Sequence, residues 1–138
     1  MPAVAGFELL PHTAEVQVRA RAPTLASLLA EAGRALARVE LGVPPGPAAG
    51  DWRAVEVRSG DRAALLVDWL NELIWIAETE RWVPVEFELE TEGEVAVRGR
   101  MRGLSVACAP SLVKAATYHA LRVEPTAEGF EAEFVLDV

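Results

Sequence analysis

"LVKAATYHALRVEPTAEGFEAEFVLDV" (residues 112–138) carries the period that decides the fold. Val113, Ala115, Thr117, His119, Leu121 and Val123 fall on one side of a two-residue alternation. Lys114, Ala116, Tyr118, Ala120 and Arg122 fall on the other. After "PTAEG", Phe130, Ala132, Phe134, Leu136 and Val138 alternate with Glu131, Glu133, Val135 and Asp137. Successive side chains of a strand point to opposite faces, so two such runs joined by a short turn predict an antiparallel hairpin. With Val123 set opposite Phe130, Asp137 falls opposite Ala116 and shares a face with Lys114 and Tyr118. A slip of one residue sends it to the other face.

The same period recurs upstream. "VPVEFELE" (83–90) sets Val83, Val85, Phe87 and Leu89 against Glu86, Glu88 and Glu90, a strand with one acidic, wet face. Glu92 and Gly93 turn the chain into "VAVRGRM" (95–101), its expected hairpin partner. Before it, "RAALLVDWLNELIWIAETE" (62–80) changes to helical period. Leu66, Trp69, Leu70, Leu73 and Ala77 form one stripe, widened by Leu65, Ile74 and Ile76. "SGD" (59–61) supplies its turn and cap, and "WRAVEVR" (52–58) reads as another strand. A first helix follows Thr24, a suitable N-cap. It carries Leu25, Leu28, Leu29, Ala32, Leu36 and Val39 on one face and stops at Gly42. Val16, Val18 and Ala20 in "LLPHTAEVQVRA" (9–20) alternate as an opening strand. The order β-α-β-α-β-β-β-β predicts a single α+β domain over residues 1–138. It is a two-layer sandwich, with two helices packed on one face of a mostly antiparallel mixed sheet.

Composition narrows the function classes. The 138 residues are 51% hydrophobic, enough for a packed core. The formal net charge is −8, with Arg and Lys scattered singly among Glu. Nucleic-acid binders neutralise phosphates with a basic stripe, which is absent here, so the chain is not expected to bind RNA or DNA directly. An acidic chain suits a cationic partner, either a metal ion or a basic protein surface. The single cysteine, Cys108, excludes an intrachain disulfide and, set in "LSVACAP", reads as a small buried hydrophobe. With no signal peptide at the N-terminus and no long uncharged apolar run, the chain is expected to be soluble and cytoplasmic.

Several chemistries have no motif here: no Gly-rich phosphate loop followed by Lys-Ser/Thr, no nucleophile elbow, no Cys-pair zinc spacing, no His-Glu-x-x-His. His119 reads as a partly buried, hydrogen-bonded strand histidine, while His12 stands between structural and functional readings. Asp137 brings its carboxylate close to a backbone carbonyl and the terminal carboxylate. That is an oxygen set suited to a hard divalent cation, with a frayed terminus as the plain alternative. Lys114 is an edge-strand charge or an ion-pair partner of Asp137.

Four blocks in order then resemble the archease family. "LLPHTAEVQVRARAPTLASLLAEAGRAL" is similar to its His-Thr-Ala-Asp opening. "LLVDWLNELIWIAETE" is similar to its Trp-Leu-Asn-Glu-Leu helix. "VKAATYHALRVE" resembles its Val-Lys-Ala-x-Thr-Tyr-His strand, and "FVLDV" resembles its closing Val-Leu-Asp-hydrophobe. The resemblance implies a protein cofactor rather than an enzyme. Its partner is the GTP-dependent RtcB-type RNA ligase of tRNA splicing and RNA repair, whose guanylylation and multiple turnover it promotes. It also implies a divalent metal ion (Ca²⁺ first, Mg²⁺ or Mn²⁺ as alternatives) held by Glu15, Asp137 and Val138. His12 and Lys114 become candidates for partner contact. This chain has Glu15 where the family has Asp, one methylene longer, which Ca²⁺ accommodates more readily than Mg²⁺. Two other classes compete. One is a chaperone for a tRNA-modifying enzyme such as a methyltransferase. The other is a metal-dependent hydrolase using Glu15, Asp137 and one histidine, which lacks a positioned nucleophile or base.

Overall fold

Each helix begins at a side-chain cap. In α1 (Leu25–Leu41) the Thr24 hydroxyl accepts from the Ser27 N–H at 3.1 Å, and the Ser27 hydroxyl accepts from the Thr24 N–H at 3.0 Å. This reciprocal pair satisfies two helix-end donors. The helix ends at Gly42, whose φ of 76° is left-handed, with its N–H donating to the Arg38 carbonyl at 3.1 Å. In α2 (Arg62–Glu80) the Asp61 carboxylate accepts from the Ala64 N–H at 2.8 Å. Both start signals and the Gly42 stop lie where the sequence puts them.

The computed structural model describes residues 4–11, 15–108 and 113–138. Its strands are β1 (Gly6–Pro11), β2 (Glu15–Ala22), β3 (Ala49–Arg58), β4 (Trp82–Glu92), β5 (Ala96–Ser105), β6 (Ala115–Thr126) and β7 (Gly129–Asp137). The expected α+β class with two helices holds. The sheet is not single or mixed: among the described residues it divides into a four-stranded sheet, β1-β2-β7-β6, and a three-stranded sheet, β3-β5-β4, all pairs antiparallel.

The physical reason lies at the outer edge of β6, where side chains of α2 take the place of a neighbouring strand. The Asn71 amide accepts from the Ala116 N–H at 2.9 Å and donates to the Ala116 carbonyl at 3.1 Å. Further along, the Arg62 guanidinium donates to the Val123 carbonyl at 3.0 Å. An edge so capped cannot continue the sheet. β1, outside the expected order, pairs with β2 and directs Phe7 and Leu9 onto the core.

Trp69 sits at the centre of the core. It is fully buried, donates its indole N–H to the Leu29 carbonyl of α1 at 2.9 Å, and meets Phe87 of β4 edge to face at 5.8 Å. Phe87 in turn lies over Gly33 of α1, where a Cβ would come within 2.6 Å of the ring. One main cluster therefore joins both helices to both sheets. The predicted α2 stripe, including Leu65, Ile74 and Ile76, is buried throughout.

The closing hairpin forms, but its register departs from the expected one. Thr117 pairs with Val135 and Arg122 with Glu133, so residues 118–121 stand opposite the single Phe134. This bulge, with Ala120 at a left-handed φ of 54°, breaks the alternation that the sequence displays. Asp137 therefore pairs with Ala115, not Ala116. Two further expectations fail with it. His119 is exposed rather than partly buried, because the bulge lifts it from the sheet, and Cys108 is exposed beyond the end of β5 rather than packed in the core.

Candidate functional site: a carboxylate pair at the end of the central strand

β7 lies between β2 and β6, so the last strand of the chain is enclosed on both sides. Its pairing with β2 runs without a shift from Ala22↔Phe130 to Glu15↔Asp137. Directly opposed residues project from the same face with Cβ atoms about 4.5–5.5 Å apart. Glu15 and Asp137 are therefore neighbours across the strands. The register fixes where the Glu15 side chain starts, beside Asp137, with one methylene more than an aspartate would have. Like charges set directly opposite repel, and among the described residues neither carboxylate forms an ion pair.

The surroundings hold the pair in place. Val138, next in the chain, is partly buried against the main core cluster. Lys114 is exposed, and its N–H donates to the Asp137 carbonyl at 2.8 Å. No ion pair between Lys114 and Asp137 forms, and the contact is through the backbone. His12 lies outside the described residues. Further along the same face, Glu133 accepts from Arg19 at 3.0 Å and from Arg122 at 3.1 Å, and Arg122 also reaches Glu124 at 3.0 Å. These neighbouring carboxylates hold the Arg122 guanidinium above its ordinary basicity. Arg19 and Arg122 are thus committed to Glu133 and Glu124, at least two rows away from the Glu15–Asp137 pair, and Arg21 further along reaches Glu8.

Two carboxylates and main-chain oxygens form a donor set for a hard divalent cation. Among the described residues no group of three or more His, Cys, Asp or Glu side chains gathers to hold one. Calcium takes 6–8 oxygens, so this end of the chain supplies part of a coordination sphere. Sequence reasoning missed Asn71 as part of the arrangement. Its two bonds pin Ala116, whose neighbour Ala115 pairs with Asp137. The available signal was a polar residue at mid-helix, one position from the buried stripe.

No described helix is long and apolar enough to cross a membrane. A model of the archease protein family matches residues 7–138. The archease of Methanosarcina acetivorans is 33% identical over 141 residues, covering 96% of this chain and 95% of the relative. That of Methanopyrus kandleri is 32% identical over 141 residues, covering 96% and 99%. In fold, the chain is similar to a Methanobacterium thermoautotrophicum protein solved in solution. The TM-score is 0.75 at 26% identity, over 96% of this chain and 99% of that one. It also resembles the crystal structure of a Thermotoga maritima protein described as an archease and possible chaperone. There the TM-score is 0.62 at 20% identity, over 94% of each chain. Matched over nearly its whole length, from β1 to the residue after Asp137, this chain belongs to the archease protein family.

Proposed function

We propose that this chain activates a GTP-dependent RtcB-type RNA ligase, promoting its guanylylation and multiple turnover in tRNA splicing or RNA repair. The observation that carries the reading is the direct opposition of Glu15 and Asp137 at the end of the enclosed strand β7. In this reading the two carboxylates and the Val138 main chain hold a divalent cation, calcium before magnesium or manganese. The longer Glu15 suits an ion with variable geometry. When bound, the cation supplies positive charge that neutralises the carboxylate pair and can polarise phosphate oxygens. The chain's own part is positional. β2 and β7 fix the carboxylates, Val138 anchors the end of the strand, and Lys114 holds the Asp137 carbonyl through its N–H. His12 and Lys114 are the candidate partner contacts. Because the ligase handles the RNA, its activator has no need of a basic surface.

The test is ligation with limiting purified ligase, GTP and excess RNA. Ligase alone should stall near one turnover, and adding this protein should restore many. Equal product with and without it would refute the reading. The description of the Thermotoga maritima relative as a possible chaperone favours a second reading, a chaperone for a tRNA-modifying enzyme such as a methyltransferase. Affinity capture from native cells separates the two, by recovering the ligase or the modifying enzyme.

A further inference from the structure

Trp75 is 56% exposed on α2, while Trp69 on the same helix is fully buried. Six residues of helix turn Trp75 well away from the core stripe. A large indole in water costs solvation that an interface would recover, and exposed tryptophans are a common anchor of protein interfaces.

Its place in the fold is set by two clamps. α2 runs antiparallel to β6, with Arg62 held on Val123 and Asn71 on Ala116. Trp75 is one turn past Asn71, about 6 Å along the helix. That step leads along β6 toward Lys114, whose N–H holds the Asp137 carbonyl. The exposed indole and the carboxylate pair therefore belong to the same end of the molecule.

The side chains that α2 presents around Trp75 are mainly acidic, and Arg53 of β3, the cation that Glu72 influences, is already bound to Glu80. Asp68, Glu72 and Glu78 flank it on α2, and none forms an ion pair among the described residues. The last turn of α2 carries no basic residue. Acidic groups near a helix C-terminus oppose the helix dipole, so this arrangement does not serve the helix itself.

We propose that Trp75, with its acidic flank, is a second docking anchor that enters an apolar slot rimmed by basic residues on the protein surface of the RNA ligase. The inference rests on the reading of the chain as a ligase activator. Charge complementarity selects the occupant. An enzyme that binds a polyanion must present cationic surface beside its channel, while a chain of net charge −8 repels RNA itself. The carboxylate pair then acts in the active site, and Trp75 holds the complex together.

The experiment titrates the full chain against purified ligase, reading both the Kd and the concentration that gives half-maximal multiple turnover. Trp75→Ala should raise both about tenfold or more while the plateau of turnovers is unchanged. Trp75→Phe should lie between it and the wild type, and the thermal midpoint should not move because the side chain is exposed. Glu78→Lys should weaken binding at low salt and little at high salt. A Trp75→Ala protein with wild-type Kd and half-activating concentration overturns the docking surface and leaves the activator reading standing. A wild type that binds through Trp75 yet does not activate overturns the activator reading and leaves the surface standing. Binding of ligase-free RNA that depends on Trp75 overturns the choice of a protein occupant.

Discussion

The three-stranded sheet and the Glu15–Asp137 end of the four-stranded sheet treat their carboxylates in opposite ways. On the three-stranded sheet, acids and bases are set opposite each other rung by rung. Glu86 meets Arg102 at 3.0 Å, Glu88 meets Arg100 at 2.7 Å, and Glu90 meets Arg98 at 2.7 Å. Arg100 and Arg102 also stack on Trp52, 4.4 and 4.8 Å from the ring centre. At the end of the four-stranded sheet the same kind of register sets Glu15 against Asp137, and among the described residues neither is paired with a cationic side chain. Cross-strand pairing makes either outcome equally available to a chain this rich in Arg and Glu. The neutral ladder balances its own charge, while the opposed pair keeps a repulsion that a bound cation or a basic partner would ease.

Glu40, half-buried on α1 and without an ion pair among the described residues, behaves differently again. Burial pushes the Glu40 carboxyl of α1 up to about 8 from an ordinary 4.5. A raised folded-state value means stability is fully present below pH 4.5 and lost as pH rises through 8. Glu40→Gln should remove that loss, stabilising the protein by roughly 3–5 kcal/mol above pH 8 relative to the wild type. Urea unfolding across pH 4–9 measures it, and parallel wild-type and variant curves would show that Glu40 is solvated. Next in size is Asn71→Ala, which strips two bonds from the edge of β6. It should cost about 2 kcal/mol in chemical denaturation. It should also lower the turnover plateau, because Ala115 beside Asp137 is no longer held. A loss of stability with full turnover would separate the edge clamp from the site. Smaller still is Arg100→Ala in the ladder, where exposed pairs are worth little. Less than about 1 kcal/mol should be lost and ligase activation should be unaffected. An effect on activation would place the ladder, too, in the interface.

What was legible follows the same division. Helix starts at Thr24 and Asp61, the stop at Gly42 and the buried stripe of α2 were readable because caps and period are local. The 83–101 hairpin was readable for the same reason. The split into two sheets was not, since it depends on Asn71 and Arg62 reaching strand residues far away in sequence. Nor was the bulge at residues 118–121. "TYHAL" alternates as well as any strand, and nothing in its residue types marks Ala120 as left-handed. The turn pairs Pro125 rather than Val123 with Phe130, and the bulge then shifts the register back by three, so the two together displace Asp137 by one residue from its expected partner. Asp137 was legible from its place beside the strand's closing oxygens, Glu15 as its partner only through family resemblance, and the register sets the two side by side.

The smallest expected change in stability accompanies the largest expected change in activity. Asp137→Asn removes one of two opposed like charges at nearly constant shape. It should leave the protein as stable or a few tenths of a kcal/mol more so. The most direct measurement is therefore multiple-turnover ligation at saturating Asp137→Asn, with its thermal midpoint recorded beside it. The expected result is a fully folded protein that leaves the ligase stalled near one turnover. A folded Asp137→Asn protein that supports wild-type turnover would contradict the central claim that the opposed carboxylates are what the partner needs.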